Sequence, residues 1–157
     1  MKAGFTFCRL SLLTIASIYA AIAIIIVTLV IPPVRADIFP KATPETATTA
    51  FWVCSLFFLF FAGAVFLIAR RITEGGMTGS LVAIGVLALI LSSMLWDAAA
   101  AFQSHGPALG TADTLIFTCA ALGSLASILL IATVFPLRRL SKTRASQSAV
   151  SSDSSDV

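Results

Sequence analysis

The stretch 115–144 reads LIFTCAALGSLASILLIATVFPLRRLSKTR, and it decides the fold. An uninterrupted apolar run over 115–135 is followed at once by four basic side chains. An α-helix of about 20 apolar residues crosses roughly 30 Å of hydrocarbon. The stretch therefore predicts a membrane-spanning helix that ends in a basic cluster.

Three further apolar runs of similar length lie at 10–31, 50–69 and 81–102. Of the 157 residues, 59% are hydrophobic and 11% are charged, whereas about 25% of the residues of a soluble domain are charged. Short connections make consecutive helices antiparallel neighbours. We predict an all-α membrane protein, with a four-transmembrane-helix up-down-up-down bundle over 1–140. The Ser-rich tail over 141–157 has too few apolar residues to order and is predicted to be disordered.

Basic residues are shared unequally between the two sides of the predicted spans. Eight of the ten Lys and Arg residues lie on one side with three acids, and two lie on the other with four acids, giving net charges of +5 and −2. Because basic residues are retained in the cytoplasm during insertion, we predict a multi-pass protein with both termini cytoplasmic. The membrane would be a plasma membrane or endomembrane in a eukaryote, or the inner membrane in a bacterium.

The first run has a second interpretation, as a cleaved signal peptide, because 34–36 resembles a small-residue cleavage site. Its apolar core is longer than the roughly 7–15 residues of a signal sequence, which favours a retained span.

Asp97 is the one acidic residue within an apolar run. An acid in hydrocarbon is a candidate proton or cation site. It follows Leu81 by about 16 residues, or roughly 24 Å of helix, which favours a place near the outer headgroups. Two interpretations stay open: an interfacial acid, or the titrating site of a transporter.

The three cysteines have no companion ligands at metal-binding spacing. Cys54 and Cys119 begin spans from the same side, so a disulfide between them stays open. Cys8 lies beside Arg9 at the inner leaflet, which fits either S-palmitoylation or a lipid-facing free thiol.

Small residues recur at a spacing of four in the third and fourth spans, where they predict close helix packing. The residues of these stripes are Gly79, Ala83, Cys119, Gly123 and Ser127. The stripes either close the monomer or recruit a homo- or hetero-oligomeric partner, and we favour the first interpretation.

The basic cluster after the fourth span comprises Arg138, Arg139, Lys142 and Arg144. Each base near an anionic leaflet contributes about 1 kcal/mol, so we predict contact with lipid headgroups in addition to a role in topology. The chain offers no nucleophile with a partner, no metal-ligand set and no axial ligand within a span. We therefore predict a protein that is not an enzyme, without cofactor, metal or nucleic acid, whose partner is the lipid bilayer.

The stretch 75–102, GGMTGSLVAIGVLALILSSMLWDAAAAF, resembles the third-span region of fungal MARVEL-like four-span (tetraspan) membrane proteins. The matching positions are Gly75, Thr78, Ser80, Leu95, Trp96 and 98–101. The resemblance covers one span closely and the rest of the chain in layout, and the chain departs from it at Asp97. It implies a non-enzymatic role in membrane apposition, microdomain organisation or vesicle traffic.

These observations predict an integral membrane scaffold or accessory protein that acts through lateral helix association and a cytoplasmic tail. Two alternatives stay open. One is a small transporter or proton-linked channel that uses Asp97, and the other is a structural subunit of a larger membrane complex.

Overall fold

The computed structural model describes residues 2–34, 44–71, 78–103 and 110–153. In chain order, the elements are α1 (Lys2–Ile25), a π-helical turn (Ile26–Val30), α2 (Ile31–Val34), α3 (Pro44–Arg70), α4 (Thr78–Gln103) and α5 (Gly110–Asp153). Four of the described helical segments are long and apolar enough to cross a membrane. The predicted all-α four-helix membrane bundle is confirmed.

The long helices extend beyond the apolar runs that predicted them. Helix α1 begins at Lys2, and α3 begins at Pro44 with Glu45 in its first turn. Proline suits the first position of a helix because its missing N–H has no partner to lose there. An acidic side chain suits the first turn because the helix dipole is positive at that end.

The first span widens into a π-helical turn, in which the N–H of Ile31 donates to a carbonyl five residues earlier. Pro32 and Pro33 follow directly. A proline ring crowds the carbonyl four residues before it and offers no N–H to that carbonyl. The wider turn relieves this conflict, so the chain continues as a helix to Val34.

Three pairs of helices pack closely: α1 with α3, α1 with α5, and α4 with α5. Helices α1 and α5 are antiparallel, because Gly4 lies beside Leu140 whereas Tyr19 lies beside Ser127. Helices α3 and α4 approach each other at few positions. The bundle is therefore a ring that is open between α3 and α4, in contrast to the close contact that we expected between these consecutive helices. A short connection fixes which ends of two helices meet but not how closely their axes run.

The core lies along α1 and the faces of α3 and α5 that meet it. Its largest fully buried side chains include Tyr19, Phe58, Ile22 and Leu130. Large apolar side chains remain exposed on the outer surface, as for Phe60 at 68% exposure. Such exposure fits a bundle whose surroundings are lipid, because lipid tails are as apolar as the side chains themselves.

The described helix α5 continues beyond its apolar run to Asp153, and the disorder predicted for the 141–157 tail stays a prediction. The segment 137–153 contains neither Gly nor Pro. Each residue added to an existing helix gains a backbone hydrogen bond without a new nucleation cost, so a helix can extend into polar sequence. The Thr143 hydroxyl also donates to the Arg139 carbonyl at 3.0 Å.

The antiparallel packing collects charge of opposite sign at the two ends of the bundle. The exposed bases near the start of α1, at the end of α3 and directly after the apolar run of α5 share one end, which we call the basic end. These residues are Arg9, Arg70, Arg71, Arg138, Arg139 and Lys142. The opposite end, which we call the acidic end, carries exposed Glu45 and Asp97.

Candidate functional site

Tyr19 is fully buried where α1, α3 and α5 meet. Its hydroxyl lies 3.0 Å from the Ser127 Oγ atom. Its ring centroid lies 5.8 Å from that of Phe58 and 6.4 Å from that of Phe61. A single side chain thus joins three helices through one polar contact and two aromatic contacts.

The hydrogen bonds around Tyr19 have a defined direction. The Ser127 hydroxyl donates its one proton to the Gly123 carbonyl at 2.7 Å. The Tyr19 hydroxyl must therefore donate to Ser127, since a serine hydroxyl has no second proton to give. Both buried hydroxyls are satisfied, as polar groups remote from water must be.

Each of the three closely packed helix pairs has an interhelical hydrogen bond. Tyr19 and Ser127 join α1 to α5. The Ser55 hydroxyl donates to the Ala23 carbonyl at 3.0 Å and joins α3 to α1. The Trp96 Nε1–H donates to the Ser124 Oγ atom at 3.4 Å and joins α4 to α5. Such bonds between membrane helices contribute about 0.6 kcal/mol each and up to about 1.7 kcal/mol.

The small-residue stripe of α5 faces the interior. Cys119 and Ser127 are fully buried, and Gly123 is buried beside α4. A Cβ atom added at Gly123 would collide with the Ser92 Oγ atom and lie 3.5 Å from the Phe58 ring. The stripe therefore contributes to packing within the monomer.

Gly85 makes a second close approach that the sequence analysis missed. A Cβ atom added there would lie 2.8 Å from Cγ1 of Ile131. The available signal was a glycine inside an apolar helix, where it lowers helix propensity by about 1 kcal/mol relative to alanine. A glycine in that setting often permits two backbones to approach.

The small-residue positions of α4 do not pack within the described chain. Gly79 and Ala83 are both exposed. A Cβ atom added at Gly79 would meet nothing within 4 Å. For these two residues, contact with a partner remains the open alternative.

An apolar cleft lies at the opening between α3 and α4, and we call it the α3–α4 cleft. Its volume is about 510 Å³, within the range of roughly 300–1,000 Å³ that ligand sites occupy. Its lining on α3 is Ala50, Phe51, Val53, Cys54, Phe57 and Phe61, and its lining on α4 is Leu87, Ile90, Leu91, Met94, Leu95 and Ala98. The thiol of Cys54 is the one polar side-chain group in this lining.

Asp97 lies outside the buried core, with its side chain exposed near the acidic end. It follows Thr78, the first residue of α4, by about 19 residues, or roughly 28 Å of helix axis. Within the described residues, no group of three metal-ligating side chains forms. The exposed position fits the interfacial interpretation better than a proton path through the core.

All three cysteines are buried free thiols. Cys8 is 2% exposed, so an acyl donor could not reach its sulfur without displacing the start of α1. The thiol is buried because α1 begins eight residues before the apolar run and carries Cys8 into the core. S-palmitoylation would require this displacement and stays a prediction. Cys54 and Cys119 form no disulfide in this structure.

The described side chains of the basic cluster on α5 lie at the surface. The side chains of Arg138, Arg139 and Lys142 are exposed. Arg144 continues the same helix, and its side chain falls outside the described part of the chain. Arg70 additionally lies over the Phe66 ring, with 5.4 Å between its guanidinium carbon and the ring centroid.

Comparison of the chain with models of protein families, with curated proteins and with solved structures gave no match. The MARVEL-like resemblance of 75–102 therefore stays a prediction.

Proposed function

We propose that this protein is a non-catalytic membrane scaffold or accessory protein that associates laterally with other membrane components and holds anionic lipid at its cytoplasmic basic end. The observation that carries the proposal is the basic end itself. Three helices bring exposed bases to one end of the bundle, from Arg9 on α1 through Arg70 on α3 to Arg138 on α5. Bases in the interfacial region attract anionic headgroups by about 1 kcal/mol each.

The bonding of the buried polar side chains supports a scaffold more than a transporter. Ser55, Ser92 and Ser127 are the buried serines among the described residues. Each hydroxyl donates to a backbone carbonyl, of Ala23, Ala88 and Gly123 respectively. The Ser55 bond joins two helices, and the other two lie within α4 and α5. All three hydroxyls therefore have protein acceptors, whereas a transport path requires polar or ionisable groups that are free to bind substrate.

The exposed positions Gly79 and Ala83 on α4 are where lateral association would take place. Their small side chains would let a partner helix approach closely. The exposed positions on α4 are also compatible with the alternative of a structural subunit of a larger membrane complex. Purification in mild detergent followed by mass spectrometry separates the two, because a stoichiometric large partner would favour the subunit.

Neutralising the basic end is expected to reduce the anionic lipid that the protein carries. In the variant Arg138→Gln, Arg139→Gln and Lys142→Gln, co-purified phosphatidylserine should fall by about fivefold or more, because three headgroup attractions are removed. Native mass spectrometry measures the ratio of bound phosphatidylserine to bound phosphatidylcholine. The protein is released for this measurement from bilayers that contain the two lipids in equal amounts.

The matched control for this prediction retains the charge. Arg138→Lys, Arg139→Lys and Lys142→Arg should hold as much phosphatidylserine as the wild type. Equal loss in both triple variants would contradict the proposal. Topology is checked in the same variants, because removing bases can reverse insertion. The cysteine of Ser146→Cys is expected to react with a label from the cytosol, and that of Thr43→Cys from outside.

Replacing the exposed acid is expected to leave ion movement unchanged. Proteoliposomes that contain the Asp97→Asn variant should show the same pH-dependent proton flux as proteoliposomes that contain the wild-type protein, because the carboxylate lies outside the core. A dye-reported proton flux that is present in the wild type and lost in Asp97→Asn would favour the transporter and overturn the scaffold.

A further inference from the structure

The α3–α4 cleft has the length of one membrane leaflet. Its walls span 50–61 on α3 and 87–98 on α4. Each wall corresponds to roughly 16 Å of helix axis, close to half of the roughly 30 Å hydrocarbon thickness. Because Ala50 and Ala98 lie toward the acidic end, the cleft runs from that surface to about the middle of the bilayer.

The length and lining of the cleft favour a hydrocarbon chain as its occupant. The groove runs through one leaflet, which matches the reach of a lipid acyl chain, whereas a partner helix crosses the whole hydrocarbon layer. Its walls are apolar apart from the thiol of Cys54. An extended acyl chain is far thinner than a helix. It presents only methylene groups to the apolar walls, so its binding leaves no polar atom without a hydrogen-bond partner.

The charge at the mouth of the cleft indicates the headgroup. Asp97 is not a lining residue, but it follows the lining residue Ile90 by seven positions, or about two turns, so it lies at the edge of the cleft on α4. It is exposed at the level of Ala98, which forms the outer rim. Among the described side chains, the charges at this end are those of Asp97 and Glu45, both acidic. An ammonium group would be attracted here and a purely anionic headgroup repelled.

We propose that the α3–α4 cleft binds one acyl chain of a phospholipid whose headgroup carries an ammonium, as in phosphatidylcholine, in the leaflet at the acidic end. The bound chain occupies the gap that the bundle leaves between α3 and α4. Its headgroup ammonium lies near the Asp97 carboxylate. This site is separate from the basic end and goes beyond the scaffold role, because it selects a different headgroup in the opposite leaflet.

The test uses the full-length protein in nanodiscs that contain phosphatidylcholine with a photoreactive diazirine in its acyl chain. Labelled peptides are expected to concentrate on 50–61 and 87–98. Ala98→Phe should lower this labelling by about tenfold by filling the rim, a change equivalent to about 1.4 kcal/mol. Ala50→Phe fills the rim from the other wall and should act in the same way if Ala98→Phe does not fold.

Two matched controls separate the site from general lipid contact. Ala100→Phe adds the same ring at an exposed position two residues away, outside the lining, and should leave the labelling unchanged. Asp97→Asn should lower labelling by phosphatidylcholine about two- to fivefold, the range for an exposed ion pair. Glu45→Gln should leave the labelling unchanged, because Glu45 lies at the same end but is not part of the cleft lining.

Three results would overturn the proposal. The first is labelling spread evenly over exposed residues in all variants. The second is equal labelling in Ala98→Phe and Ala100→Phe when both fold. The third is a disulfide-linked dimer formed through Met94→Cys and suppressed by Ala98→Phe, which would assign the cleft to a second copy of the chain.

Discussion

Tyr19→Ala is expected to lower the free energy of unfolding by about 3–5 kcal/mol, the range for truncating a buried aromatic side chain. Tyr19 has no exposed surface and contacts Phe58, Phe61 and Ser127. Truncation leaves a cavity where three helices meet and removes the donor to Ser127. Titration with a denaturing detergent from mixed micelles, followed by tryptophan fluorescence, measures the loss.

Tyr19→Phe is the matched control, because it retains the ring and removes only the hydroxyl. Its expected cost is about 0.6–1.7 kcal/mol. The Ser127 hydroxyl keeps its own acceptor in this variant, the Gly123 carbonyl. Equal losses in Tyr19→Phe and Tyr19→Ala would show that the hydroxyl alone matters and would contradict the packing account.

Gly123→Ala is expected to destabilise the bundle by about 1–3 kcal/mol, the range for overpacking a well-filled contact. The added methyl group collides with the Ser92 Oγ atom. That oxygen can escape only by rotating away from the Ala88 carbonyl, to which it donates at 2.8 Å. A larger replacement, Gly123→Ile, would also displace the Phe58 ring and should cost more.

The second-site variant Ser92→Ala makes the Gly123 prediction specific. It removes the colliding oxygen and leaves a Cβ atom that lies 3.5 Å from the one added at Gly123, an ordinary contact. The double variant should recover most of the stability lost in Gly123→Ala, which gives a coupling of about 0.5–3 kcal/mol. Gly79→Ala should be neutral or stabilising, because nothing lies near the added atom. Additive losses at positions 123 and 92 would argue against their contact.

The fold class followed from the sequence because length and hydropathy alone decide whether a helix can cross a membrane. The opening between α3 and α4 could not be predicted in this way. Their apolar runs, 50–69 and 81–102, carry large apolar residues on nearly every side, so hydropathy does not mark which face meets protein and which meets lipid. The length of α5 was not predicted either, because composition does not show how far a helix continues beyond the apolar run that defines it.

The packing positions on α5 could be predicted, but those on α4 could not. Gly123 and Ser127 form a stripe of small residues, and the structure places both inside the bundle. Gly79 and Ala83 form a similar stripe that lies at the surface. Spacing alone does not distinguish the two cases, because the difference depends on the partners Ser92 and Tyr19 on other helices. Tyr19 is a polar residue within an apolar run, but the sequence does not indicate its acceptor, which lies 108 positions away in the chain.

The length of α5 has an electrostatic consequence for the basic end. From Leu140 to its end at Asp153, the helix rises by roughly 20 Å. At physiological ionic strength, mobile ions screen charges over a Debye length of about 8 Å. The acid at position 153 therefore lies more than two Debye lengths along the helix axis from the bases nearest the bilayer. Although the chain carries a formal net charge of only +3, an anionic leaflet at this end would experience mainly the field of its arginines and lysines.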